Sequence, residues 1–64
     1  MNERTLKILI AKKQMSIGKL AEKAGISPDV IFKVLSGQRK PTLATIGKLA
    51  AALGVEPEVL MKED

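Results

Sequence analysis

The sequence predicts an all-α domain of five short helices. Apolar residues recur at helical spacing, favourable cap residues precede most of the apolar segments, and no alternating strand pattern competes. The 64 residues suit a single domain, 1–64, whose core supplies on the order of 3 to 5 kcal/mol. That size leaves no room for a second domain or an enclosed substrate cavity.

Helix boundaries follow from the cap residues. Four helix starts carry a side chain that can accept a hydrogen bond from the first turn, namely Asn2, Ser16, Ser27 and Thr42. The first helix is predicted to run to about Gln14, and the third from Pro28 to about Ser36. The fourth ends at Gly54, and Glu56-Pro57 opens a short fifth helix.

Residues 17–36 carry what a tight pair of crossed helices needs. Ala21 is small enough for a helix crossing, Gly25 tolerates the positive φ of the turn after the helix at 17–24, and Ile31 anchors the second helix. The sequence therefore predicts a helix-turn-helix. Its second helix leaves an outer face free to enter a DNA major groove.

The remaining core is predicted from the same spacing. The first helix has one stripe, with Ile8 opposite, made of Leu6, Leu9, Ile10 and Lys13. The fourth helix presents an apolar series of Leu43, Ile46, Leu49, Ala50 and Leu53. Val59 and Leu60 are expected to point inward, and Ile10 is expected to pack on Leu35.

Charge is unevenly distributed along the chain. Residues 1–48 carry ten Lys and Arg against three acidic residues, a net +7, whereas residues 49–64 carry a net −3. A basic body favours a polyanionic partner, and the acidic end should point away from it. Solvated helix faces would also explain a Lys-rich surface.

Composition excludes most site chemistry. The sequence has no Cys and no His, which removes disulfides, thiolate zinc sites, thiol catalysis and the usual neutral-pH acid or base. The seven carboxylates are scattered along short helices, so we expect no enzyme activity, no metal and no cofactor. No secretory signal or membrane-spanning segment is visible, and a cytoplasmic location is expected.

Three segments together match a known pattern: LAEKAGIS at Leu20 to Ser27, VIFKVLSGQRKP at Val30 to Pro41, and IGKLAAALGV at Ile46 to Val55. They resemble the Cro and phage-repressor helix-turn-helix family, also called the xenobiotic-response-element type. The resemblance implies a five-helix DNA-binding domain that works as a homodimer on a two-fold symmetric operator and represses transcription. Double-stranded DNA is then the expected partner, with no small-molecule ligand and no membrane.

Base readout is expected from the outer arc of the third helix, at Pro28, Asp29, Phe32 and Lys33. Lys33 can reach a guanine edge or, as a lone Lys more often does, a phosphate. Asp29 can accept from a cytosine amino group, although a first-turn carboxylate is also favoured by the helix dipole alone. Phe32 can contact thymine methyl groups or fold back to widen the core.

Phosphate contacts are expected on both flanks of that helix. The candidates after it are Ser36, Gln38, Arg39, Lys40, Thr42 and Thr45, where a basic loop meets the amide-rich start of the fourth helix. Those before it, at the start of the second helix, are Ser16, Ile17 and Lys19. Many relatives have a Gln where this chain has Ile17, so backbone amides must serve there. Pro28 likewise stands where relatives often carry a polar reader.

The resemblance places the dimer contact between the fourth and fifth helices. The candidates are Val55, Glu56, Glu58, Val59 and Met61. The two valines can equally close the domain's own core, so Ile8 and Met61 discriminate better. An alternative function is a protein-interaction module on the same fold, with Phe32 and the helix ends docking a partner.

Overall fold

The computed structural model describes residues 2–62, which form five α-helices in the predicted order and contain no strand. The helices are α1 (Glu3–Lys12), α2 (Ile17–Ala24), α3 (Pro28–Leu35), α4 (Leu43–Leu53) and α5 (Pro57–Met61). The all-α five-helix prediction is confirmed. α1 ends earlier than predicted, because Gln14 already has a left-handed backbone with φ of 53°.

All four predicted side-chain caps form. Backbone N–H groups in the first turns donate to the cap oxygens of Asn2 (3.2 Å), Ser16 (3.0 Å), Ser27 (3.2 Å) and Thr42 (3.1 Å). Each of these four cap bonds satisfies a backbone donor that has no partner inside its own helix, so the short helices begin at defined residues. α5 begins differently, because Glu56 makes no side-chain cap bond and Pro57 occupies the first helical position.

α1 to α4 all end in the same backbone motif. A left-handed residue stands one position (α2, α4) or two positions (α1, α3) after the helix end, and the next N–H reaches back to a carbonyl in the last helical turn. Glycine makes this turn at Gly25, Gly37 and Gly54, with φ of 70°, 79° and 71°. After α1 the corresponding residue is Gln14, whose Cβ makes the left-handed backbone less favourable than it is for glycine.

Gln14→Gly is therefore expected to raise the free energy of unfolding by about 0.5 to 1 kcal/mol, and the Tm by a few degrees. Gly25→Ala should lower it by about 1 kcal/mol through backbone strain alone, because no atom lies within 4 Å of the added Cβ. Thermal unfolding followed by circular dichroism measures both. Equal Tm values for the two variants would show that these turns do not control stability.

The core draws at least one fully buried branched side chain from every helix. These are Leu6, Leu20, Ile31, Val34, Leu49, Leu53 and Leu60, all 0 to 1% exposed. Ala21 and Ala24 of α2 and Ala50 of α4 are buried as well, and α2 packs against both α3 and α4. Small residues let these helices approach closely, as predicted for Ala21.

α1 and α5 close the domain. α5 packs on α4 and α1, and the backbone N–H of Asn2 donates to the carbonyl of Leu60 at 3.0 Å. Ile10 is buried and Leu35 is half-buried against the same core, in agreement with an apolar environment for both. Their direct contact stays a prediction.

Three core predictions are wrong. Leu43 is 74% exposed, whereas Ile46, Leu49, Ala50 and Leu53 of the same series are buried. Val59 is 40% exposed, since Leu60 takes the inward position of the short α5. Lys13 is exposed because α1 has ended before it.

Candidate nucleic-acid interface

The rotation of α3 is set by its buried residues. Ile31 and Val34 are both 0% exposed and hold one side of the helix against the core. The opposite side, here called the outer arc, is exposed and consists of Pro28, Asp29, Phe32, Lys33 and Ser36. The four residues predicted to read bases therefore share one solvent-facing surface.

Phe32 is the most unusual member of the outer arc. Its side chain is 58% exposed, so it does not fold back to widen the core. An exposed phenyl ring is costly in water, by roughly 25 cal/mol per Å² of apolar surface. Burial against a partner is one way to recover that free energy.

Asp29 and Lys33 form an ion pair across one turn of the outer arc. Lys33 Nζ lies 3.0 Å from Asp29 Oδ2, and the two side chains are 48% and 69% exposed. Asp29 is at the start of the helix and Lys33 one turn later, the order that the helix dipole favours. The arc thus presents a hydrogen-bond donor and an acceptor side by side with no net charge.

The basic loop after α3 is anchored on the carbonyl of Lys33. That oxygen accepts from the N–H of Gln38 (2.9 Å), the N–H of Arg39 (3.3 Å) and the Oγ of Ser36 (3.1 Å). The positive φ of Gly37 turns the chain so that these donors converge. Ser36, Gln38, Arg39 and Lys40 are all exposed, so the loop side chains point to solvent from a fixed backbone.

The first turn of α4 is the second part of this flank. Thr42 Oγ1 accepts from the N–H of Thr45, and the two hydroxyl oxygens lie 3.0 Å apart. Thr42 is also the helix cap, so one residue both begins α4 and is a candidate for phosphate contact. The side chain of Leu43, in the same turn, is 74% exposed, which its spacing within the apolar series of α4 did not predict.

The start of α2 forms the other flank. Ser16 caps the helix by accepting from the N–H of Lys19, and both side chains are exposed. Ile17 is half-buried against the core. Its apolar side chain cannot donate a hydrogen bond, so its backbone N–H is the group expected to face a phosphate. Lys19 is thus the cation of this flank.

The dimer candidates divide by burial. Val55 is half-buried against the domain's own core, whereas Glu56 and Glu58 are exposed. Val59 and Met61 are 40% and 47% exposed. Ile8, on α1, is also 47% exposed, so three apolar side chains are left outside the core near the α1 and α5 surfaces.

Charge supports a polyanion-binding flank. Within residues 2–62 the structure shows one ion pair, so Lys19, Arg39 and Lys40 carry charges that no carboxylate of this region neutralises. The same residues include no cluster of acidic, Cys or His side chains suited to a metal ion. None of their helices has the length and apolar character needed to cross a bilayer.

Two crossed helices, an outward-facing second helix and basic flanks define a helix-turn-helix domain. The chain belongs to the helix-turn-helix family, whose model matches residues 6–60, and the Cro and phage-repressor resemblance is confirmed. The crystal structure of the restriction-modification controller protein C.AhdI from Aeromonas hydrophila is similar, with a TM-score of 0.87 and 36% identity over 91% of this chain and 88% of that one. A search of curated proteins found no significant match. The protein is a DNA-binding regulator of transcription.

Proposed function

We propose that the protein binds a specific, two-fold symmetric operator in double-stranded DNA with α3 in the major groove. The observation that carries this proposal is the division of α3 between buried Ile31 and Val34 and the exposed outer arc. A helix held by its inner face presents its outer side chains to base edges in a constant orientation. The base-reading residues are then Pro28, Asp29, Phe32 and Lys33.

Phosphates on either side of the groove are bound by the two flanks. Lys19 with the amides at the start of α2 contacts one strand, and Arg39, Lys40 and the first turn of α4 contact the other. The convergent bonds on the Lys33 carbonyl support this role, because they couple the position of the basic loop to α3.

The operator is bound by two copies. Two major-groove sites on one DNA face lie about 34 Å apart, and the domain measures 26 × 23 × 19 Å, so two copies fit side by side without overlap. The surface of α5, with Val59 and Met61, is the proposed contact between them. Such a small apolar contact is expected to be weak without DNA.

Repression is the proposed outcome of binding. A domain bound to an operator that overlaps a promoter would occupy a site that polymerase needs. The similarity to a restriction-modification controller protein also favours a role in gene control. A reporter whose promoter overlaps the selected operator should lose expression when the protein is present, and increased expression would assign activation instead.

Selection from random duplex DNA tests the operator proposal. We expect enrichment of an inverted repeat with half-sites centred about 10 base pairs apart, bound by two protomers per duplex. Sedimentation velocity with the selected duplex measures that stoichiometry. Failure to bind any duplex near 50 mM salt would contradict the proposal and favour a protein-interaction module on the same fold.

A further inference from the structure

We propose that Asp29 and Lys33 act as one specificity-determining unit that reads the major-groove edge of a single C·G base pair. The inference rests on the proposed function and names the base pair that the outer arc recognises. Its starting point is the 3.0 Å ion pair, in which a carboxylate oxygen and an ammonium nitrogen lie side by side on the exposed arc.

Both groups keep hydrogen-bonding capacity after pairing with each other. An ammonium group has three donors, so Lys33 can keep Asp29 and still donate to a base. A carboxylate has two oxygens with about four acceptor positions, so Asp29 can keep Lys33 and still accept from an amino group. The pair therefore presents one acceptor and one donor at a set separation.

A C·G base pair presents the complementary pattern. In the major groove, cytosine N4 is a donor and guanine O6 an acceptor, and these two atoms are themselves hydrogen-bonded at about 2.9 Å. Asp29 would accept from cytosine N4 while Lys33 donates to guanine O6 and N7. The separation of 3.0 Å between the two protein atoms matches the distance between this donor and this acceptor.

The other base pairs fit less well. A guanine or thymine opposite Asp29 places a carbonyl oxygen against the carboxylate, which is repulsive. An adenine there offers an amino group and its thymine partner keeps the O4 acceptor, but the thymine places a methyl group beside Lys33 where guanine has its second acceptor, N7. Cytosine opposite Asp29 is thus the preferred base, with guanine opposite Lys33.

The pairing also explains how a carboxylate is tolerated beside DNA. Asp29 without Lys33 would be repelled by phosphates, whereas the pair has no net charge. An exposed pair of this kind contributes little to folding. Affinity then comes from the basic flanks, and the pair supplies discrimination between base pairs.

The test uses the operator selected by the unaltered chain. For each protein, binding is measured with each of the four bases at every position of one half-site. Asp29→Ala and Lys33→Ala are each expected to lower discrimination at the same base pair by about tenfold, and the double variant no further than the larger single change. Glu22→Ala is the matched control for Asp29→Ala, and Lys48→Ala is the matched control for Lys33→Ala. Each control residue is exposed outside α3, and its substitution changes the net charge by the same amount as the variant it matches.

A modified operator probes the cytosine contact directly. Replacing the assigned cytosine by N4-methylcytosine removes the amino hydrogen that faces the groove. Binding by the unaltered chain should weaken about tenfold, and binding by Asp29→Ala should not change.

The outcomes separate this inference from the proposed function. If Asp29→Ala and Lys33→Ala lose discrimination at two different base pairs, or if Asp29→Ala keeps full discrimination, the two residues do not read one base pair together. Operator binding itself would still stand. If the unaltered chain enriches no sequence at all, the proposed function itself fails. Circular dichroism melting of each variant shows that these exposed substitutions leave the fold in place.

Discussion

Ile31→Ala is expected to unfold a large part of the protein at 37 °C. Ile31 is 0% exposed and holds α3 against the core, and truncating such a side chain costs about 2 to 5 kcal/mol. A domain of this size has only about 3 to 5 kcal/mol of stability in total. Thermal unfolding followed by circular dichroism at 222 nm measures the loss.

The neighbouring residue is the matched control. Phe32 is 58% exposed, so Phe32→Ala should keep the Tm within a few degrees while weakening binding to the selected operator about tenfold. The two substitutions stand one position apart and are expected to act on different properties. A large fall in Tm for Phe32→Ala, with unchanged affinity of the folded fraction, would remove Phe32 from base readout.

Neutralising the basic loop should have the largest effect on DNA binding. In Arg39→Gln/Lys40→Gln, each protomer would lose two of the proposed phosphate contacts, so the proposed DNA-bound dimer should lose about 3.6 units from the slope of log K against log salt. Relative to 1 M salt, that corresponds to an affinity loss of about three and a half orders of magnitude at 0.1 M salt. Fluorescence anisotropy of labelled duplex over a salt series measures the slope and the affinity together.

Arg4→Gln/Lys7→Gln controls for net charge. Both residues are exposed on α1, whose start is bonded to α5 rather than to the loop after α3. The control removes the same total charge and should change the slope by much less. Equal changes in the two double variants would show that only overall charge matters and that the loop makes no phosphate contacts.

Much of the fold was predictable because its signals are local. A cap such as Ser27 bonds to an N–H two residues away, and Gly25 turns the chain by its own φ. The helix-turn-helix follows from these local signals together with the spacing of Ala21 and Ile31. The phosphate-binding flanks were predicted from the basic loop and the free amides at helix starts, whereas the family resemblance supplied the dimer surface.

Burial at helix ends was harder to predict. Leu43 has the spacing of the buried α4 residues and yet is 74% exposed, and Val59 lies beside fully buried Leu60. Spacing determines which face of a helix is apolar, but not how far along that face its neighbours extend. The exposure of Leu43 therefore depends on where α2 and α5 pack, which no local pattern contains.

The sequence by itself determined five helices, the residues at which the first four are capped and which side of α3 faces inward, because caps, left-handed turns and helical periodicity act within a few residues. Only the tertiary structure decided how much of each apolar side chain is left exposed, that Phe32 stays outside the core, and that the Lys33 carbonyl holds the basic loop. Burial is a property of neighbours distant in the chain, and convergence of several donors on one oxygen requires the actual path of the backbone.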